Sequence, residues 1–137
     1  MMLHPMIPLT LTDITQAIRT GWAADTCSPD DLTRSPWTAD NPAWGHCDIT
    51  ALVVHDFFGG ELLAGEVYLD GEQQGYHMWN RLPSGIEIDL THEQFRRGQV
   101  VSGRRVVERP VGRLPRRADE YELLRGRVWQ ALGRTPA

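Results

Sequence analysis

The spacing of hydrophobic residues along the chain predicts three helices. The first contains four apolar residues at helical spacing, which are Ile14, Ala17, Ile18 and Trp22. Thr10 or Thr12 can cap its start, and Gly21 lies near its end.

The second predicted helix runs from about His46 to Phe58. Its ITALVV stretch is almost continuously apolar, and Gly59 and Gly60 stop it, which is typical of a helix buried on most sides. The third lies in ADEYELLRGRVWQALGR, where acidic residues come first and arginines follow, as a helix dipole favours. Its apolar positions are Tyr121, Leu124, Val128 and Leu132.

Three strands are predicted between the second and third helices. The strands are ELLAGEVYL, YHMWNRL and IEIDL, and the last shows period-two alternation. LDGEQQG forms a turn region between the first two strands, and LPSG forms a tight turn between the second and the third. Thr91 and Gln94 form a capping-box pattern for a short helix. The segment 104–117 is basic and contains proline, so it predicts either an edge strand or an extended arm.

This order of elements predicts an α+β fold in one domain spanning residues 1–137. The chain has 137 residues, 41% of them hydrophobic and 23% charged, which suits one compact hydrophobic core. The net charge of −4 gives no overall attraction for nucleic acid. We expect no membrane span, because no apolar run reaches about 18 residues.

The first 22 residues have neither a basic start nor an apolar core of signal-peptide length, so we expect a cytoplasmic protein. In that compartment Cys27 and Cys47 are expected to be free thiols. Residues 24–44 form a predicted loop of about 20 residues, a length that is often functional. We interpret Trp37 and Trp44 on this loop as anchors to the core, with ligand contact as the alternative.

Cys47 stands at the first turn of the second predicted helix. Unpaired N–H groups and the helix dipole at such a position stabilise a thiolate, and Gly45 allows a close approach. Position alone supports a nucleophile and a small buried hydrophobic residue equally.

A base for Cys47 is available on the following strands. His77 lies on the second predicted strand and Asp89 on the third, and the hairpin between them can place the two side by side. The order then matches a nucleophile, a base and a group that orients the base. Taken separately, His77 is more typical of a structural strand residue, and Asp89 of a helix cap.

Other residues are candidates for the oxyanion contact or for an alternative metal site. The Cys47 backbone N–H and the Asn41 side chain can stabilise an oxyanion, whereas Asn80 can brace His77 or the loop. A metal site is an alternative, although no chelating spacing supports it. Its ligands would come from His46, Cys47, His77, Asp89 or His92.

The chain resembles the YunG-like family of small bacterial proteins. The resemblance rests on Gly45 to Cys47, Thr50 to Val54, Gly59 to Glu61, His77 to Asn80 and Ile88 to Phe95, and it covers roughly residues 37–132. A wider likeness to papain-like and transglutaminase-like folds implies a helix opened by the cysteine and packed on an antiparallel sheet. His46 departs from that pattern, in which a glutamine precedes the cysteine, so His46 becomes a candidate substrate contact.

The resulting hypothesis is cysteine-dependent acyl chemistry on an amide, ester or thioester of a small molecule or peptide. Cys47, His77 and Asp89 form the expected triad, and the expected oxyanion or substrate contacts are Asn41, Trp44, His46, Trp79 and Asn80. No cofactor or metal is expected, and a role in a specialised biosynthetic pathway follows only by analogy.

The alternative is a non-catalytic module in which aromatic residues line a cleft for a small ligand or peptide. Trp37, Trp44, Tyr76 and Trp79 would form this lining. An arginine of the segment 104–117 could bind a ligand carboxylate, with a solvated surface as the simpler interpretation.

Overall fold

The computed structural model describes residues 9–133 of the chain, and it is a mixed α+β structure. Residues 1–8, on which part of the signal-peptide argument rests, lie outside the described residues, as do residues 134–137. The helices are α1 (Leu11–Gly21), α2 (Pro29–Leu32), α3 (Cys47–Phe58) and α4 (Ala118–Ala131), with a short 3-10 helix at His92–Gln94. The strands are β1 (Glu61–Leu69), β2 (Glu72–Arg81), β3 (Glu87–Ile88) and β4 (Val100–Val107).

The three predicted helices are present as α1, α3 and α4. Thr10 caps α1 through a reciprocal capping box with Asp13, so the first of the two predicted caps is the one used. The predicted loop at residues 24–44 holds the one-turn helix α2, which begins with a proline as its first helical residue.

The four strands form one antiparallel sheet in the order β3-β2-β1-β4. The turn between β1 and β2 is shorter than predicted, and β2 begins at Glu72 rather than Tyr76. Asp70 and Gly71 both have positive φ, 52° and 81°, which produces the two-residue turn that matches the twist of a hairpin. This tight turn lets Leu69 pair directly with Glu72.

The third strand is also shorter than predicted. β3 holds two residues, because the Asp89 carboxylate accepts the backbone N–H of Thr91 and turns the chain away from the sheet. The short helix predicted after Thr91 is present as the 3-10 helix, but its predicted capping box is wrong. No side chain caps the backbone there, and the Gln94 amide donates to the Thr91 hydroxyl and reaches His77. Segment 104–117 supplies the end of β4, an edge strand that continues into a loop.

The hydrophobic core lies between one face of the sheet and the helices. α3 contacts β2, β1 and α4, and α4 also packs on α1. Residues from all of these elements are fully buried, including Ile14, Ile18, Ile49, Val53, Val54, Leu124 and Val128. Because α3 is buried along most of its length, the position of Cys47 at its first turn is fixed by the core.

None of the helices within residues 9–133 is long and apolar enough to cross a membrane.

Candidate functional site

A cleft of about 790 Å³ opens where Cys47 begins α3. The loop before α3 forms one wall and β2 another, and the segment that follows the 3-10 helix adds to the rim. Its lining includes Asn41, Trp44, Cys47, Tyr76, Met78 and Arg117. A concave site of this volume, with apolar walls and a few polar groups, has the dimensions of a small-molecule site.

The Cys47 thiol is protonated in this cleft at neutral pH. Burial raises its pKa to about 12, the neighbouring Asp48 carboxylate adds to the rise, and the Met78 backbone N–H opposes it. The Asp48 carboxylate also accepts the Ile49 N–H at the start of α3. The helix N-terminus, which was expected to stabilise a Cys47 thiolate, therefore already interacts with the negative charge of Asp48. Within residues 9–133, no hydrogen bond joins the Cys47 sulfur to a histidine.

His77 and Asp89 lie together, as the hairpin geometry predicted. The His77 Nε2 is 2.6 Å from the Asp89 Oδ2, and the Gln94 side-chain amide lies 3.2 Å from the His77 Nδ1. An amide N–H that donates to Nδ1 leaves the ring proton on Nε2, where it is donated to Asp89. Both ring nitrogens are therefore bonded, and the side chain is 2% exposed.

His77 points away from α3. On the same strand, Asn80 donates its side-chain amide to the Ala51 carbonyl of α3, and Met78 packs against the core. Because side chains alternate along a strand, His77 and Trp79 project from the opposite face of the sheet. The structure thus brings His77 to Asp89. No hydrogen bond within the described residues joins either side chain to Cys47, although the charge of Asp89 adds to the rise in the pKa of the Cys47 thiol.

Three of the five expected substrate contacts have structural partners instead. His46 is fully buried, with its Nδ1 2.7 Å from the Trp44 carbonyl and its Nε2 2.7 Å from the Thr26 hydroxyl. Burial lowers the pKa of His46 to about 4, so the ring is neutral at pH 7, and His46 is not among the residues that line the cleft. Trp79 donates to Glu87, and Asn80 joins β2 to α3.

Asn41 and Trp44 are the two expected contacts that do line the cleft. The Trp44 indole donates to the Ser35 carbonyl and Trp37 donates to the Pro42 carbonyl, so both tryptophans also brace the loop. Gly45 allows this loop to pack tightly: its φ is 73°, and a Cβ there would lie 2.4 Å from the Cys27 sulfur. The described residues contain no group of three or more histidine, cysteine or acidic side chains able to hold a metal ion.

Comparison with known proteins identifies the family. The family model described as YunG protein matches residues 10–133, which is most of the chain. The chain belongs to the YunG family. It is 38% identical over 61 residues to a Bacillus subtilis (strain 168) protein named "Uncharacterized protein YunG", a match that covers 44% of this chain and 48% of that protein. The match thus spans about half the length of that relative, and no solved structure matches the chain.

The YunG resemblance seen in the sequence is therefore confirmed, and the papain-like likeness stays a prediction.

Arg117 lines the cleft in this member of the YunG family, and the sequence did not single it out. Its guanidinium, 9% exposed, bonds both oxygens of Asp48 and the carbonyls of Thr26 and Gly45. It was part of an arginine-rich segment with no feature to distinguish it from its neighbours. Its only local signal was its place just before the acidic start of the last helix.

Proposed function

We propose that this chain is a binding protein for a small organic ligand and that the ligand occupies the cleft beside Cys47. The observation that carries the proposal is the cleft itself, which places apolar side chains of α3, β1 and β2 next to polar groups. Those apolar side chains are Leu52, Leu62, Val67 and Met78. Cys47 contributes to the wall as a neutral thiol.

The Asn41 amide supports a binding role. It lines the cleft, and no hydrogen bond within residues 9–133 uses its side chain. An amide offers both a donor and an acceptor, so it can recognise a ligand without carrying charge. The ligand would place its apolar part against the wall and a polar group at Asn41.

The test is an NMR titration of the ¹⁵N-labelled chain with small aromatic probes such as 2-phenylethanol. We expect saturable shifts at amides of the cleft, and the same shifts in Cys47→Ala, because the thiol supplies no essential bond. Asn41→Ala should weaken binding about tenfold or less, as loss of one neutral hydrogen bond predicts. If millimolar probe moves no cleft amide, the binding proposal is wrong.

A second candidate function is the cysteine-dependent acyl chemistry expected from the sequence, on a papain-like or transglutaminase-like plan. The observation that favours it is the exposure of Cys47 to the cleft together with a neighbouring strand that holds a His77–Asp89 pair at 2.6 Å. His77 would have to exchange its bond with Gln94 for one with the thiol. Cys47 would then pass its proton to the Nδ1 of His77 and attack an acyl carbon, while Asp89 stabilises the imidazolium. The acyl group would stay on the sulfur, and His77 would give the proton to the departing amine, alcohol or thiol.

Iodoacetamide labelling across pH in a Cys27→Ala background separates the two candidates. The binding proposal expects the labelling rate of Cys47 to keep rising beyond pH 9, because its thiol pKa is about 12. The enzyme candidate expects a plateau at or below pH 8 that His77→Ala removes. It also expects stoichiometric acylation of Cys47 by p-nitrophenyl acetate, which His77→Ala slows.

A further inference from the structure

Asp31 is the half-buried carboxylate in the wall of the Cys47 cleft that has no partner within residues 9–133. Among the acidic residues that line it, Asp30 is paired with Arg116 and Asp48 with Arg117. Asp31 also lines the cleft, yet no hydrogen bond or ion pair from residues 9–133 reaches its carboxylate. Glu108 lines the cleft without a partner as well, but it is exposed to solvent, so Asp31 is the half-buried acid of the wall that the described residues leave unpaired.

The surroundings of Asp31 leave its carboxylate without a hydrogen-bond donor from residues 9–133. It is half-buried, and that burial raises the pKa of its carboxyl, with the charge of Asp48 adding to the rise. Two guanidiniums lie near enough to favour the charged form, but both are bonded elsewhere. Arg34 donates to the Gln74 carbonyl at 2.6 Å, and Arg117 is held by Asp48 and backbone carbonyls.

A partly desolvated carboxylate without a donor is costly, and a ligand that supplies one would relieve the cost. An ammonium group is a strong donor of this kind, because it brings both hydrogen bonds and opposite charge. The cleft wall also has an apolar part near Cys47, which includes Leu52 and Met78. The complementary ligand is therefore a compact apolar body that carries a cationic amino group.

We propose that the cleft of this protein takes a small primary amine and that Asp31 is the residue that selects it by receiving the ligand ammonium. This inference rests on the proposed binding function and adds the chemical class of the ligand. Asp31 is accordingly a specificity-determining residue, and the Cys47 thiol needs no reactivity for that role.

Three probes of equal size separate charge from shape: phenethylamine, 2-phenylethanol and phenylacetate. Each is titrated into the ¹⁵N-labelled full chain at pH 7, and Kd is read from shifts of cleft amides. We expect phenethylamine to bind the wild type at least about tenfold more tightly than the alcohol, as a charge-assisted bond predicts, and phenylacetate to bind weakest. Asp31→Asn should bring the amine and alcohol to similar Kd values.

Asp119→Asn is the matched control, since its carboxylate is 90% exposed, is already paired with Arg113 and lies outside the residues that line the cleft. It should leave the amine preference unchanged. The carboxyl ¹³C signal of Asp31 in the wild type gives a readout that needs no variant, and it should shift with the amine alone.

The outcomes distinguish the two proposals. Equal affinity for amine and alcohol in the wild type, a preference for phenylacetate, or an amine preference that survives Asp31→Asn overturns the amine assignment and leaves the binding function standing. Failure of all three probes to move any cleft amide overturns both.

Discussion

At the scale of single residues, His46 and His77 both lie in the interior with hydrogen-bond partners at both ring nitrogens. His46 is enclosed by the Thr26 hydroxyl, the Trp44 carbonyl and the Trp22 ring, whose centroid lies 5.6 Å away. His77 is held by Asp89 and Gln94 with the edge of the Phe95 ring against it. Each ring uses both nitrogens, so each acts as a polar junction within the protein interior.

His46 makes stability depend on pH. Its pKa is about 4 in the folded protein and near 6.5 in the unfolded chain, so the unfolded state binds more protons between those values. The contribution is present above pH 6.5 and is lost as the pH falls to 4, by up to about 3 kcal/mol. Urea unfolding at pH 7.5, 5.5 and 4.5 measures it.

We expect His46→Gln to be less stable at pH 7.5 and to show a flatter dependence on pH than the wild type. His92→Gln, a change at an exposed histidine, should keep the wild-type slope. An unchanged slope in His46→Gln would show that another group causes the dependence.

At the scale of elements, one amide joins the sheet to the central helix. The Asn80 side chain, 3% exposed, donates to the Ala51 carbonyl inside α3 at 2.9 Å. Through this hydrogen bond the strand β2 is joined to a carbonyl of the helix α3. The face of β2 that carries Asn80 is therefore the face that packs on α3. The same choice of face places His77 on the side of β2 opposite to Asn80.

Asn80→Ala should lower the free energy of unfolding by about 1–3 kcal/mol, because it removes a buried donor and leaves a small cavity. Gln73→Ala, on the exposed end of the same strand, is the control and should unfold like the wild type. Urea denaturation followed by tryptophan fluorescence measures both. Equal midpoints for the two variants would contradict a role for Asn80 in docking α3.

At the scale of the whole molecule, Arg117 connects segments that are distant in sequence. It precedes α4 in a left-handed conformation with φ of 63°, and it bonds Asp48 in the first turn of α3 and the carbonyls of Thr26 and Gly45 in the loop. These contacts hold the wall of the cleft against two helices. A guanidinium suits the position because its planar fork serves several acceptors at once.

Arg117→Met should destabilise the protein by about 3–5 kcal/mol, since it leaves Asp48 without its buried partner. Arg117→Lys should recover only part of the loss, because a single ammonium cannot reproduce the fork. Arg116→Met removes an ion pair whose side chains are 79% and 78% exposed, and it should match the wild type within error. Thermal unfolding of the three variants tests this, and a similar loss in Arg116→Met would contradict it.

The sequence by itself determined the elements and their order. The periodicity of Ile14, Ala17 and Ile18 predicted α1, and the apolar run ended by Gly59 predicted α3, because these signals are local. The contact between His77 and Asp89 was also predictable, since a short hairpin fixes which residues are neighbours. The family followed from the motifs that begin at Gly45.

Only the tertiary structure decided what surrounds Cys47. The face of β2 that meets α3 depends on how the sheet packs, and a shift of one position in a strand reverses every side chain. The pKa of the thiol depends on burial and on acidic groups from three segments, and Arg117 reaches the cleft from 69 residues beyond Asp48. The thiol at the helix start was visible in the sequence, whereas its protonated state and the unpaired Asp31 beside it arise from charges and burial that only the folded chain assembles.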